Sequence, residues 1–296
     1  MGYKMKYTGT TPIHEFNGKF VKREDLAYWS SLEYPSGSKV RQYMAMAGYI
    51  ETSEGPGIRL SHLTNNMEVP PCLVGCSANS AMAIYVAATA KILGTKGIIY
   101  TAKRKVRSAG INYALSLGAE VNEMTPKQGY YLKHLQKHAR QRGIDLKNYV
   151  MWDRNAAIQD TIDQCINVPE NIKRIIVPTG SGLTAAGIMC GTIGIEIVAV
   201  CTSPMADKTK IMQLVNKMGA GKERKLGALT VLGPTTPYDT PVIESLPDGT
   251  PLDPYYSAKA WKYVERNDLL WPPGLRPVIS MPEVCRDAFK DWKGPQ

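Results

Sequence analysis

The chain has 296 residues, 44% hydrophobic and 21% charged, enough to build a large packed core and incompatible with a disordered chain. Its 36 Lys+Arg against 26 Asp+Glu leave a net charge of +10, a large excess for a protein handling a small zwitterion, so a polyanionic partner stays open. No apolar run reaches the roughly 20 residues of a membrane span, and Met1 to Lys6 lacks a signal-peptide apolar stretch, so a soluble cytoplasmic protein without membrane contact is expected.

In chain order, Thr11-Pro12-Ile13 and Lys19 to Leu26 read as a short strand followed by a charged turn. Tyr34-Pro35-Ser36-Gly37-Ser38-Lys39-Val40-Arg41 is then a Pro/Gly turn that delivers one lysine into a helix over 40–50. A lysine becomes a nucleophile toward carbonyls only when desolvation or a neighbouring charge lowers its pKa. Lys39 is on this ground a candidate covalent cofactor anchor, set against the commoner case of a solvated lysine after a turn. Residues 51–59 form a Gly/Pro/Ser/Thr loop.

Strands and helices alternate from there: strand 72–76, Ala-rich helix 79–93, strand 97–100, helix 106–117, strand 119–121 and an amphipathic helix 129–142. Tyr149 to Trp152 leads into a second sheet, with strands at 174–178, 196–201, 228–232 and 277–280 and helices at 183–193, 208–218 and 258–267. The alternation predicts an α/β fold: two open, twisted, mainly parallel sheets with helices on both faces. Residues 1–58 and 150–296 are assigned to a larger domain and 59–149 to a smaller one, with a cleft between them. The six cysteines are scattered among apolar neighbours and read as core thiols. His134 and His138 lie four apart on a lysine-rich helix with no carboxylate between them, so no metal is expected.

Two loops carry chemical promise. Pro178-Thr179-Gly180-Ser181-Gly182-Leu183-Thr184 lies between a strand and a helix, where glycines allow close approach and a helix N-terminus favours phosphate. Gly180-x-Gly182-x-x-Ala185 also satisfies a dinucleotide pattern, but the next strand ends Val200-Cys201-Thr202-Ser203 with no acid for a ribose. The hydroxyls of Thr179, Ser181 and Thr184 suit a monophosphate better. Cys76-Ser77-Ala78-Asn79-Ser80 stands at the carboxyl end of a strand, where α/β sheets bind ligands. There Ser77 is either an N-cap or a ligand group, and Asn79 is able to hydrogen-bond a phenolic oxygen.

A lysine after a Gly/Ser turn, a Ser-x-Asn loop before an Ala-rich helix and a Thr-Gly-Ser-Gly loop recur in this order in fold type II pyridoxal-phosphate enzymes, the tryptophan synthase β-like superfamily. The chain most resembles its 1-aminocyclopropane-1-carboxylate deaminase and D-cysteine desulfhydrase branch, through Lys22-Arg23-Glu24-Asp25, Gly37-Ser38-Lys39-Val40-Arg41 and Leu252 to Ala260. The resemblance implies pyridoxal 5′-phosphate in the cleft, a Schiff base to Lys39, which shuttles the Cα proton, Asn79 at the ring oxygen O3′, and Thr179, Gly180, Ser181, Gly182 and Thr184 around the phosphate. Tyr256 matches a catalytic, substrate-side tyrosine, with Ser77 and Ser80 also facing the substrate. Ser257 stands where the deaminase has a glutamate facing the pyridine nitrogen, with Ser280 as the rival. A homodimer is also implied, as is elimination or deamination at Cα of a small amino acid.

The chain departs from the branch at Trp152 to Ala156, where a Gly-rich segment is usual, and at Ile279-Ser280-Met281-Pro282, where a His-Thr-Gly-Gly loop is usual. Basic runs at Lys103 to Arg107, Lys133 to Arg142 and Lys217 to Lys225 are solvated faces or contacts to a polyanion. On the second reading the substrate is an amino-acid adduct on a pyrimidine in DNA, of the kind processed by pyridoxal-phosphate enzymes in bacteriophage thymidine hypermodification.

Overall fold

The computed structural model describes residues 10–27, 34–46, 50–52, 55–57, 72–125, 134, 137, 140, 141, 154–202, 207–218, 225–233 and 236–294. The expected strand at 149–152 and most of the helix at 129–142 lie outside them. Strands β1 (Ile13–Phe16) and β2 (Lys19–Lys22) form a hairpin closed by Asn17 and Gly18, both at positive φ. The short strand β3 (Ser36–Gly37) runs into α1 (Ser38–Met46), followed by a small hairpin of β4 (Ile50–Thr52) and β5 (Gly55–Gly57). Next come β6 (Cys72–Gly75), α2 (Ala81–Ile92), β7 (Gly97–Ala102), α3 (Ala109–Ser116) and β8 (Glu120–Met124). The chain continues through α4 (Arg154–Asp163), β9 (Arg174–Thr179), α5 (Leu183–Gly191), β10 (Glu196–Cys201), α6 (Lys208–Lys217) and β11 (Leu229–Leu232). It closes with α7 (Ser257–Trp261), β12 (Asp268–Leu270), β13 (Gly274–Leu275) and α8 (Glu283–Ala288).

Two main sheets result. The larger has the order β1-β2-β12-β9-β10-β11, parallel throughout except for the β1–β2 hairpin. The smaller has the order β6-β7-β8 and is wholly parallel. Buried parallel strands need apolar residues on both faces: Ile175, Val177, Ile197 and Ala199 pack with α5 on one face, and Ile176 and Val198 with Leu246, Leu252 and Ala258 on the other. A second core forms where the all-round apolar α2 covers Val74 and Ile99. The mixed α/β architecture with parallel sheets agrees with the sequence expectation. Five of the six cysteines are buried and Cys72 is half-buried, in keeping with core thiols. Desolvation pushes Cys76 and Cys165 up to about 12. Among the described residues no helix is long and apolar enough to cross a membrane.

Several elements differ from the sequence expectation. Residues 278–280 form a 3-10 turn rather than a strand, because Pro277 opens the segment and accepts from both the Ser280 amide and its hydroxyl. The expected helix at 258–267 stops at Trp261, and Asn267, at φ 67°, then turns the chain into β12. That strand is only three residues long, yet it joins β2 to β9 at the centre of the larger sheet. Helix α4 begins in the segment read as a departure from the resembled family. Its polar sequence carries little periodicity, and it is held by packing against α5.

Candidate active site

Lys39 enters α1 from a backbone clamp. Gly37 and Gly274 pair in the β3–β13 ladder, and the Ser38 amide and hydroxyl both donate to the Pro273 carbonyl, at 3.0 and 2.8 Å. From there the partly buried Lys39 donates through Nζ to Gln42 Oε1 at 3.1 Å. Gln42 in turn donates to Asp160 and to the Ala157 carbonyl. Arg41 bridges Asp160 and the buried Glu24, so Lys39 lies beside one guanidinium shared between two carboxylates. Desolvation lowers the Lys39 pKa, partly opposed by Asp160.

Among the described residues two other lysines have lowered pKa values, also through burial: Lys22, at about 8, and Lys259. Neither is placed to react. Lys22 Nζ is wholly buried and donates to the Thr11 carbonyl, the Gln164 carbonyl and Asn167 Oδ1, over the Trp271 ring. Lys259 Nζ is engaged by the carbonyls of Pro237 and Tyr238.

The Ser77 to Ser80 loop leaves the carboxyl end of β6. Ser80, not Ser77, caps α2, its hydroxyl accepting from the Met82 amide at 3.2 Å. Ser77 Oγ is thereby freed to meet the Tyr238 hydroxyl at 2.9 Å, and Tyr238 meets the Tyr256 hydroxyl at 3.3 Å. The two rings stack edge to face. Burial raises the pKa of both phenols, so each stays protonated near neutrality and able to donate. Asn79 is buried, and its Nδ2 donates to Asp239 Oδ1 at 3.0 Å. Tyr238 and Asp239 were not among the residues singled out from the sequence. They sit in a Pro/Thr-flanked loop that carries no motif.

The Thr179 to Thr184 loop joins β9 to α5. Gly182 occupies the N-cap position at φ 88°, with no side chain capping the helix, so the backbone amides of the first turn face outward. A Cβ on Gly180 would stand 3.2 Å from the Tyr256 ring, which places this loop directly against the tyrosine pair. Thr179 directs its hydroxyl back to the Val177 carbonyl, whereas Ser181 is exposed and Thr184 half-buried.

The two rival serines are in different states. Ser280 Oγ donates to the Pro277 carbonyl at 2.7 Å. Ser257 Oγ, next to Tyr256, is buried with no hydrogen-bond partner among the described residues. A buried hydroxyl without a partner costs about 1–3 kcal/mol, and a ligand atom with a lone pair would relieve that cost. Pyridoxal phosphate fits this set of groups chemically: an amine of lowered pKa, a buried amide, an uncapped helix start behind glycines, and one orphaned hydroxyl among the described residues.

No protein-family model matches the chain, and no curated protein matches it at significant similarity. Solved structures do. An ACC deaminase homologue superposes with a TM-score of 0.65 at 16% identity, covering 92% of this chain and 91% of its own. Diaminopropionate ammonia lyase from Escherichia coli, in complex with an aminoacrylate-PLP azomethine reaction intermediate, gives 0.57 at 13% identity over 97% of this chain and 88% of its own. The processed form of threonine deaminase isoform 2 from Solanum lycopersicum gives 0.52 at 14%, over 92% and 77% respectively. The chain shares the α/β fold of these proteins.

Proposed function

We propose that this protein is a pyridoxal-phosphate-dependent enzyme of lyase or deaminase type, acting at Cα of a small amino acid. The observation that carries the reading is Lys39: a desolvated amine with one side-chain acceptor, Gln42, among the described residues, held by a glycine clamp at the start of a helix. Bound in the cleft, pyridoxal phosphate would supply an electron sink for charge developing at Cα. Lys39 would attach it and carry the Cα proton. Asn79 would donate to the ring oxygen and the Gly180 to Thr184 backbone would hold the phosphate. Tyr256, backed by Tyr238 and Ser77, would orient the substrate through protonated hydroxyls. Ser257 would meet the pyridine nitrogen with a neutral hydroxyl, which leaves the ring less electron-withdrawing than a carboxylate partner would and suits elimination.

Purified protein mixed with pyridoxal phosphate is expected to turn yellow, with a borohydride-fixed adduct mapped to Lys39 by mass spectrometry. Ammonia and a 2-oxo acid should then be released from a free amino acid. Protein that takes up no pyridoxal phosphate would refute the reading.

A second reading keeps the same chemistry but a DNA-attached amino acid as substrate. It is favoured by the exposed run Lys103 to Arg107, which adjoins Asn79 through Arg104 and Asp239. Phosphate contacts there would make binding to duplex DNA steeply salt-dependent. Activity on amino-acid-bearing DNA, with none on free amino acids, would favour it.

A further inference from the structure

Asp239 is an exposed carboxylate in an unusual position. Its Oδ1 accepts from the buried Asn79 amide at 3.0 Å and from Arg104 Nη2 at 2.9 Å, and its Oδ2 accepts from the same Arg104 nitrogen at 3.0 Å. Arg104 lies two residues past the end of β7 and Asn79 four past the end of β6, so both donors stand at the carboxyl edge of the smaller sheet, where parallel sheets take ligands. The loop that brings Asp239 there also brings Tyr238 onto Ser77 and Tyr256, and Lys259 fastens it through the carbonyls of Pro237 and Tyr238.

A surface ion pair would ordinarily end the matter, but one partner here is an amide that is 5% exposed and belongs to the candidate site. The Asn79 amide has two N–H groups, so it is able to serve a ring oxygen and a carboxylate together. The Arg104 and Asp239 side chains are 37% and 56% exposed, so an external carboxylate has a route to the same donors. Exposed pairs of this kind contribute little, which makes exchange inexpensive.

We propose that Arg104 and Asn79 form the binding site for a carboxylate of the substrate, and that Asp239 holds that place until the substrate displaces it. The proposal rests on the amino-acid reading above and adds Arg104 as the residue that selects a carboxylate-bearing substrate. Asp239 acts as an internal competitor: apparent affinity is reduced by the fraction of molecules in which it occupies the site.

The test is calorimetric titration with propionate, which has the carboxylate but no amine and so does not react with pyridoxal phosphate. Asp239→Asn is expected to tighten propionate binding about fivefold, the scale of an exposed pair. Adding Arg104→Gln to Asp239→Asn should abolish the gain. Both side chains are solvent-accessible, and circular dichroism verifies that each variant is folded. Unchanged affinity in Asp239→Asn, or a gain that survives Arg104→Gln, would overturn the proposal. Pyridoxal-phosphate uptake is read on the same samples by absorbance, so failure of the cofactor reading registers separately from failure of the carboxylate site.

Discussion

Asp253 and Arg276 form a fully buried ion pair, Arg276 Nε donating to Asp253 Oδ2 at 2.9 Å, that ties the Tyr256 turn to the Asn79 loop. The other Asp253 oxygen accepts from the amides of Tyr255 and Tyr256, while Arg276 Nη2 donates to the Asn79 carbonyl at 2.9 Å. One pair thereby joins the element carrying Tyr256 to the element carrying Asn79. Removing one partner strands the other charge in the interior, which costs about 3–5 kcal/mol. Asp253→Asn is expected to lower the urea unfolding midpoint accordingly.

The position of Lys39 depends on two glycines that touch. A Cβ on Gly37, at φ 113°, would lie 2.2 Å from the Gly274 Cα and 2.5 Å from the Pro273 carbonyl oxygen, both rigid backbone atoms. Gly37→Ala is expected to open the β3–β13 ladder and slow the attachment of pyridoxal phosphate to Lys39 by tenfold or more. Stopped-flow absorbance reads the rate, and an unaltered rate would show that the clamp does not position the lysine.

Burial lowers the folded-state pKa of Lys39 below its ordinary 10.5. At pH values below the folded pKa both states are protonated, and the folded state bears the whole desolvation cost. As pH rises from there toward 10.5, the folded amine loses its proton first and the cost fades. Lys39→Met should therefore stabilise the cofactor-free protein most near neutrality, with the difference shrinking in alkali. Denaturation at several pH values measures it; a difference that grows with pH contradicts the buried-ammonium account.

The two serines make opposite predictions. Ser257→Ala removes an orphaned hydroxyl, so the cofactor-free protein should keep or gain up to about 1–3 kcal/mol, while affinity for pyridoxal phosphate falls. Ser280→Ala removes a made hydrogen bond instead and should cost about 1 kcal/mol with the cofactor spectrum unchanged. Thermal melts and absorbance titrations on the two variants separate the roles.

Much of the parallel α/β frame was legible because buried strands such as Ile175 to Val177 and Ile197 to Val200 are unbroken apolar runs bounded by polar turns. The order of Lys39, Asn79 and the Thr179 to Thr184 loop was legible for a related reason: glycine, proline and hydroxyl residues at element ends leave local marks. β12 left no such mark, since three residues between a turn and Trp271 become a strand only when β2 and β9 lie on either side. The 3-10 turn at Val278–Ser280 was hidden likewise, because its apolar content matches a strand and only the flanking prolines oppose it.

From the sequence alone follows the α/β fold class, since it rests on the periodicity of apolar runs, and so does the placing of Lys39 after a Gly/Ser turn and of the glycines between a strand and a helix. Tertiary structure alone decided that Ser80 rather than Ser77 caps α2, and that Ser77 therefore joins Tyr238 and Tyr256. It also left the hydroxyl of Ser257, not that of Ser280, without a partner among the described residues, and brought Asp239 onto Asn79 and Arg104. Those outcomes depend on hydrogen-bond partners as many as 161 residues apart in the chain, and a hydrogen bond between such residues exists only once packing has brought them within about 3 Å.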